Sequence, residues 1–234
     1  MMSSILTQWS KRTAFGALLA ASVLFAGGAG AEPANLGPIK TALTAYHQTD
    51  YAHDLATVDA EAQAYVAAHI AGVQKPAIVL DIDETSLSNW PEIAADDFGY
   101  IHSGSCDALP SGPCGAVAWE LSARAEAIAP TLALFTALRA QGVAVFFITG
   151  RDESEREATT RNLHQAGYDG WAKLVMRVPG SSTPLAADYK APARAAIEAE
   201  GYTIIANIGD QDSDLAGGHA MKGFKLSNPF YFIR

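Results

Sequence analysis

The stretch Ala77-Ile78-Val79-Leu80-Asp81-Ile82-Asp83-Glu84-Thr85 decides how this chain is organised. Four apolar residues, two of them β-branched, follow Pro76 without a polar break, which is typical of a strand buried on both faces of a parallel sheet. Asp81 and Asp83 stand at its far end, and side chains two apart on a strand point the same way. Open α/β sheets bind ligands just beyond the carboxyl ends of their strands. The pair therefore predicts a functional site, because two like charges this close need a cation or a proton between them.

Further apolar strands are predicted along the chain, at 143–148, 171–178, 203–208 and 224–226. Helical patterns alternate with them, in 39–72 before the first strand, from 116 to 142 with a break near Pro130, and up to Gly167. A last helix is predicted to open at Lys190. Strands that alternate with helices predict a doubly wound parallel sheet of the Rossmann-like α/β class.

The pattern loses its period after the first strand, where residues 87–115 hold several glycines and prolines. A long irregular segment inside a compact domain is usually functional. We therefore predict a small cap inserted at about 86–130, above the site. Its aromatic residues either stack on a substrate or form the cap's own core; they are Trp90, Phe98, Tyr100 and Trp119.

Residues 1–31 have the composition of an export signal. Lys11 and Arg12 form a basic start, residues 14–26 an apolar run, and Ala29-Gly30-Ala31 a small-residue cleavage site. The alternative is a retained membrane anchor, but the apolar run is short for a bilayer. We predict a periplasmic or secreted protein, with residues 32–234 as a single domain that has no membrane attachment after cleavage.

The formal net charge of −9 restricts the partners of the protein. Binding a nucleic-acid polymer needs clustered Lys and Arg, so this acidic balance argues against it. A small anionic substrate remains compatible, provided that a metal and a few basic groups offset the field locally. The sequence leaves a homo-oligomer open.

Cys106 and Cys114 are the two cysteines of the chain, and both lie in the Gly/Pro/Ser-rich segment. An exported chain meets an oxidising compartment, which favours a disulfide that closes this short loop. Two unpaired thiols packed as small hydrophobes are the second reading. Metal binding is the third, because no histidine or further cysteine stands nearby at a zinc-like spacing.

Polar residues follow three of the predicted strands, where the fold would bring them together. A hydroxyl, a backbone amide and an ammonium suit a phosphoryl group, and a set of carboxylates suits Mg²⁺. The predicted site residues are Asp81, Asp83, Thr149, Gly150, Lys190, Asp210 and Asp214.

The order of these motifs resembles the haloacid dehalogenase superfamily: DxDxT, an apolar strand with TGR, a lysine, then GDxxxD. Within it, residues 81–89 (DIDETSLSN) resemble the bacterial class C acid phosphatases and their plant relatives. Residues 209–215 (GDQDSDL) and 224–229 (FKLSNP) resemble the plant-type branch, which includes the vegetative storage proteins. The likeness covers essentially the whole chain after the signal, and four motifs in order are far more specific than one DxD.

The resemblance implies an acid phosphatase that hydrolyses small phosphomonoesters, nucleotides among the candidates, with Mg²⁺ as cofactor. Asp81 would attack phosphorus and form an aspartyl-phosphate, while Asp83 would act as general acid and then general base. Asp81, the main-chain carbonyl of Asp83 and Asp210 would hold the metal, with Asp214 as a further ligand or as a neighbour of the ligands. The phosphate oxygens would be held by Thr149, the Gly150 amide and Lys190.

Three residues near these motifs receive other predictions. Arg151 either adds charge to the phosphate site or forms a salt bridge to Asp152 or Glu155. Glu84 is predicted to be structural, and Asp212 to face solvent.

Three other classes of protein compete with this interpretation. Response-regulator receiver domains place their metal-binding acids and phosphorylated Asp on different strands, whereas Asp81 and Asp83 share one. A non-catalytic storage or phosphate-ester-binding protein on the same fold would be signalled by loss of the nucleophile, and Asp81 is present. A nucleotide-cofactor oxidoreductase is excluded because no glycine-rich turn follows the first strand.

Overall fold

A five-stranded parallel sheet forms the centre of the protein, for which the computed structural model describes residues 32–178 and 185–233. The described residues from Asn35 onward form one compact unit. The strands of this sheet are Pro76–Leu80 (β1), Ala144–Asp152 (β4), Lys173–Arg177 (β5), Thr203–Gly209 (β6) and Lys222–Lys225 (β7). They lie in the order β5-β4-β1-β6-β7 with every neighbouring pair parallel, so β1 is central. The predicted doubly wound α/β class is confirmed.

Strand β1 is buried on both faces, as its unbroken apolar run predicts. Ile78 and Leu80 belong to the larger core cluster, whereas Ala77 and Val79 belong to a smaller cluster on the other side. This split follows from the two-residue period of a strand. Burial of both faces leaves only the ends of the strand for polar chemistry.

Helices cover the sheet and connect its strands. In chain order they are Leu36–Thr49 (α1), Tyr51–His69 (α2), Trp90–Ala95 (α3), Ala116–Ser122 (α4), Ala129–Ala140 (α5), Arg156–Gln165 (α6), Ala187–Ala199 (α7) and Asp212–Leu215 (α8). Leu55 of α2 and Leu134 of α5 pack in the larger core cluster, and Ile197 of α7 in the smaller one. Asp152 begins the segment that leads to α6, because its carboxylate accepts a hydrogen bond from the Ser154 amide.

The segment between β1 and α5 begins and ends at a two-stranded antiparallel ribbon, Leu87–Ser88 (β2) with Glu126–Ala127 (β3). The Ile128 amide donates to the Ser86 carbonyl at 3.0 Å, so the two ends of the segment lie side by side. Between them lie α3, α4 and a loop closed by a Cys106–Cys114 disulfide. The predicted disulfide is confirmed.

Several boundaries differ from the sequence-based ones. Strand β4 extends through Asp152 instead of ending at Ile148, and α7 begins at Ala187, so that Lys190 lies in its first turn. The β2–β3 ribbon was not predicted, because two residues per strand are too few to show a period.

The N-terminal prediction cannot be compared with the structure, since residues 1–31 lie outside the described residues. Within 32–178 and 185–233, no helix is both long and apolar enough to cross a bilayer.

Candidate active site

The register of the central strands brings polar residues to one edge of the sheet. Leu80 pairs with Phe147 of β4 on one side and with Ile208 of β6 on the other. The residues that follow these positions therefore lie together beyond the carboxyl ends of the strands. They are Asp81, Thr149 and Asp210.

Three buried carboxylates form the centre of this site. Asp81, Asp210 and Asp214 each offer one oxygen, and these oxygens lie within 4.8 Å of one another. All three side chains are buried, with Asp81 6% exposed. Burial, and after it the charge of Asp214, raises the pKa of Asp81 well above its ordinary value, and the same two causes raise that of Asp210.

Lys190 is the buried cation of this cluster. Its ammonium donates to Asp81 Oδ1 at 2.6 Å and to Asp214 Oδ1 at 2.5 Å. Burial lowers the pKa of Lys190, but Asp81 and Asp214 outweigh burial and raise it, so the ammonium stays charged. An ammonium has three N–H donors, and the two carboxylates take two of them.

Asp210 is held by side chains from three parts of the chain. Its Oδ1 accepts from the Thr85 hydroxyl at 3.1 Å, and its Oδ2 from the Gln211 and Asn228 amides at 2.6 and 2.7 Å. Lys225 donates to its main-chain carbonyl. These contacts leave Asp210 little rotational freedom.

Asp83 is turned toward Arg151 and away from the three-carboxylate cluster. Arg151 Nη2 donates to Asp83 Oδ1 at 2.7 Å and Nε to the same oxygen at 3.0 Å, and the Asn89 amide adds a bond at 2.9 Å. Burial raises the pKa of Asp83, but the charge and hydrogen bonds of Arg151, helped by Asn89, outweigh it and lower the pKa. Asp83 is therefore a partly exposed carboxylate in an ion pair with a buried arginine.

Neither salt bridge proposed for Arg151 is present. Arg151 pairs with Asp83 across the strands, while Asp152 lies 3.6 Å from Arg177. The reason is the length of β4, which keeps residues 149–152 extended, so that Thr149 and Arg151 project to the same side. Thr149 supports the pair, since its hydroxyl lies 3.4 Å from Asp83 Oδ2 and accepts from the Arg151 amide at 3.1 Å.

The two other predictions near these motifs agree with the structure. Glu84 is buried, and its carboxylate accepts hydrogen bonds from the Tyr51 hydroxyl at 2.7 Å and from the main-chain N–H of Asn89 at 2.6 Å. It thus ties α2 to the turn after Asp83. Asp212 is exposed at the start of α8.

The structure brings the predicted site residues together in two groups. Asp81, Asp210, Asp214 and Lys190 form one group, and Asp83 with Thr149 forms the other, completed by Arg151. Gly150 is exposed and lines the adjoining cavity. The sequence analysis missed the supporting residues Asn89, Gln211 and Asn228, although all three lie inside the stretches that carry the family resemblance.

A cavity of about 620 Å³ opens beside Asp83 and Gly150. The cap segment contributes Phe98 and Tyr100 to its wall, and the C-terminal segment contributes residues 230–233. Trp119 instead lies in the core of the cap, where its indole N–H donates to Asn89 Oδ1 at 2.8 Å. Trp90 packs behind the wall, with its ring 6.0 Å from that of Phe98. Two of the four cap aromatics thus face the cavity.

The chemistry of the carboxylate cluster suits a hard divalent cation. All its donors are oxygens, and Lys190 pairs with two of its three buried acids, Asp81 and Asp214. Burial, and after it the charge of Asp214, raises the pKa values of Asp81 and Asp210, and a divalent cation bound here would lower them.

Comparison with known proteins identifies the family. Residues 14–234 match the model of the HAD superfamily, subfamily IIIB (acid phosphatase). This chain belongs to that family, which confirms the resemblance found in its motifs.

Plant proteins are among the similar sequences. The Stem 28 kDa glycoprotein of Glycine max is 35% identical over 80% of this chain and 72% of its own length. Acid phosphatase 1 of Solanum lycopersicum is 35% identical over an alignment that covers 66% of this chain and 58% of that relative. Vegetative storage protein 1 of Arabidopsis thaliana is 30% identical over 66% of this chain and 54% of its own length.

A solved structure shares the fold. The class C acid phosphatase from Bacillus anthracis superposes with a TM-score of 0.65 at 22% identity, covering 84% of this chain and 86% of that one.

Proposed function

We propose that this protein is a metal-dependent phosphomonoesterase, an acid phosphatase that hydrolyses small phosphomonoesters. One observation carries the proposal: Asp81 stands at the end of the central strand, in contact with Lys190 and inside a cluster of carboxylates, two residues before Asp83, which lines an open cavity. Membership of the acid phosphatase family supports the same reaction. Nucleotides are one candidate class of substrate, since a cavity of about 620 Å³ has room for a nucleoside.

Asp81 is the proposed nucleophile. One of its carboxylate oxygens attacks phosphorus as the bond from phosphorus to the ester oxygen breaks, which leaves an aspartyl-phosphate and releases the alcohol. Water then attacks the same phosphorus and gives a proton to Asp83. The bond from phosphorus to the Asp81 oxygen breaks, inorganic phosphate leaves, and the Asp81 carboxylate is restored. Lys190, Thr149 and the Gly150 amide hold the phosphate oxygens and stabilise the charge that develops on them.

Asp83 is the proposed general acid and base. It gives a proton to the departing alkoxide and takes one from the hydrolytic water. Arg151 opposes protonation of Asp83 in the substrate-free site. The role of Asp83 is therefore better tested by changing the leaving group of the substrate than by changing the pH.

Mg²⁺ is the proposed cofactor. The side chains of Asp81, Asp210 and Asp214 would hold it, together with the main-chain carbonyl of Asp83. When bound, a divalent cation supplies positive charge that offsets the carboxylates and the anionic substrate.

The experiment is a panel of phosphomonoesters assayed with Mg²⁺ and after exhaustive chelation, on wild type, Asp81→Asn and Asp212→Asn. We expect activity that chelation abolishes and Mg²⁺ restores. Asp81→Asn is expected to lose turnover and keep its thermal transition, because an amide keeps the shape but cannot attack phosphorus. Asp212→Asn, which removes an exposed acid beside the site, is the matched control and is expected to retain activity. Full activity after chelation contradicts the metal dependence, and a tenth of wild-type kcat in Asp81→Asn, a loss of only about 1.4 kcal/mol, contradicts the nucleophile.

A non-catalytic storage or phosphate-ester-binding role is the second candidate. The resemblance to vegetative storage protein 1 favours it, whereas the presence of Asp81 does not. Calorimetric binding of a phosphomonoester to the metal-loaded protein without turnover would establish this second role in place of the first.

Export to the periplasm or to the medium is proposed from the signal-like residues 1–31. The Cys106–Cys114 disulfide supports it, since such bonds persist in oxidising compartments. The mature N-terminus of the exported protein tests it, with cleavage after Ala31 expected.

A further inference from the structure

The cavity beside the candidate active site contains a carboxylate that no described group satisfies. Glu92, in α3, is 8% exposed and lines the cavity with Asp83. Among residues 32–178 and 185–233, no group donates a hydrogen bond to its side chain. Burial, followed by the charges of Asp96 and Asp83, raises the pKa of Glu92 to about 7. Because Glu92 lines the cavity and its side chain receives no hydrogen bond from the described residues, it is available to a donor that enters the cavity.

A second carboxylate, that of Glu120, lines the same cavity. Burial and the charge of Asp83 raise the pKa of Glu120 to about 9, with Glu155 as a further acidic neighbour. An entering cation would lower the raised pKa values of both acids, so its binding is coupled to loss of their protons.

The cations around the cavity are already paired with other acids. Arg151 is buried and forms an ion pair with Asp83. Arg177 lies at the rim, half exposed, 3.6 Å from Asp152. The charge of Arg151 lowers the pKa of both Glu92 and Glu120, but within the described residues neither acid forms a salt bridge.

Aromatic rings complete the wall beside these acids. Phe98, Tyr100 and Phe230 line the cavity, with the Phe98 and Phe230 rings 6.4 Å apart. Trp90 fixes both rings from behind, at 6.0 Å from Phe98 and 5.3 Å from Phe230, and is itself stacked on His47 at 3.6 Å. The faces of such rings attract organic cations, particularly where water is excluded.

We propose that the cavity binds a leaving group that carries an ammonium, so that the preferred substrates are phosphomonoesters of amino alcohols. The ammonium would lie between the Glu92 and Glu120 carboxylates and the Phe98 and Phe230 rings, with the phosphate beside Asp81. This substrate class rests on the proposed phosphatase function.

The test compares three esters that share a two-carbon link to the phosphate: 2-aminoethyl phosphate, its trimethylammonium analogue and 2-hydroxyethyl phosphate. Because the alcohols differ in intrinsic reactivity, the quantity measured is the ratio of kcat/KM for each cationic ester to that for the hydroxyethyl ester. Glu92→Gln is expected to lower this ratio by about tenfold relative to wild type. Glu61→Gln, which removes an exposed acid on α2, is the matched control and is expected to keep the wild-type ratio.

A second variant covers the case in which Glu92→Gln fails to fold. Phe98→Leu keeps an apolar side chain and removes the ring face, so it is expected to lower the ratio for the trimethylammonium ester in the same direction. An unchanged ratio in the folded variants, or a wild-type preference for adenosine monophosphate that Glu92→Gln leaves intact, overturns the inference. If no ester is turned over in the presence of metal, the phosphatase function is contradicted instead. Calorimetry with the free amino alcohols then still tests whether the cavity prefers an ammonium group.

Discussion

At the scale of single residues, identical side chains in the site have opposite surroundings. Asp81 faces other carboxylates and shares one lysine with Asp214, whereas Asp83 accepts hydrogen bonds from Nε and Nη2 of Arg151. The first environment raises the pKa of an acid and the second lowers it. The local partners, and not the residue type, set the electrostatic state of each group.

The role of Asp83 predicts a dependence on the leaving group. A nitrophenolate leaves without a proton, whereas an alkoxide needs one, so Asp83→Asn should slow phosphorylation by an alkyl phosphate by about a hundredfold or more. The loss with a nitrophenyl ester should be much smaller. Single-turnover kinetics on both esters measure the phosphorylation step directly. Equal losses would show that Asp83 is not the acid.

Gly209 predicts a second effect at this scale, because it leaves space for Asp214. A Cβ at Gly209 would lie 2.5 Å from Asp214 Cβ, well inside contact distance. Gly209→Ala should therefore displace Asp214 and raise the Mg²⁺ concentration needed for half-maximal activity and for thermal stabilisation. Gly223→Ala is the control, since its Cβ would meet Leu215 at an ordinary 3.5 Å. Equal metal dependence in the two variants would show that Asp214 takes no part in binding the metal.

At the scale of elements, the length of β4 and the loop after β1 shape the site. Strand β4 extends four residues past Ile148, which carries Arg151 to Asp83. The turn after β1 closes on itself, with the Glu84 amide donating to the Leu87 carbonyl at 2.9 Å and Glu84 in a left-handed conformation at φ 50°. The chain then enters the cap, whose residues reach the cavity wall.

The disulfide gives a prediction about the cap. It closes the loop between Cys106 and Cys114, and the Cys114 amide donates to Asp96 Oδ1 at 2.7 Å, which ties the loop to the end of α3. Replacing both cysteines by serine should lower the free energy of unfolding by roughly 2.5 kcal/mol. Guanidinium unfolding of the variant and of wild type, with and without reductant, measures it. Reductant should destabilise wild type and leave the variant unaffected; two alkylatable thiols in unreduced, denatured wild type would contradict the bond.

At the scale of the whole molecule, a buried acid between two helices links stability to pH. Asp59 of α2 accepts from the Thr131 hydroxyl of α5 at 2.9 Å, while its Oδ1 has no partner among the described residues. Burial raises the pKa of Asp59 from 3.8 to about 6. A carboxyl with a raised pKa in the folded state is destabilising when ionised, so its cost is absent below about pH 4 and complete above about pH 6.

Asp59→Asn should therefore become more stable relative to wild type as the pH rises from 4 to 7. The full gain is at most about 3 kcal/mol, since an amide keeps an acceptor for Thr131 and cannot ionise. Urea unfolding at several pH values, in chelator so that metal binding does not contribute, measures the difference. Glu61→Gln on the exposed face of α2 is the control. A difference between Asp59→Asn and wild type that is constant with pH would refute the linkage.

Much of this molecule follows from local pattern. The apolar runs before Asp81, Thr149 and Asp210 mark parallel strands, and parallel strands align their carboxyl ends, so the convergence of these residues is readable from the chain. Lys190 and Asp214 were predicted from their places before and after the fourth predicted strand, and the family resemblance then implied their roles. The disulfide followed from two cysteines in a short loop of a chain that the sequence predicts to be exported.

The partners of each charged group, in contrast, were decided by tertiary structure. Arg151 stands next to Asp152 in the chain but pairs with Asp83. Strand β4 continues past Ile148 through Asp152, and this extended backbone directs the Arg151 side chain toward Asp83. Nothing in the local sequence distinguishes Glu92 from an exposed glutamate, and only the packing of α3 buries it beside the cavity. Sequence determines which groups exist and where along the chain they stand; the direction of a side chain and the solvent left around it depend on contacts between residues far apart, which no local period records.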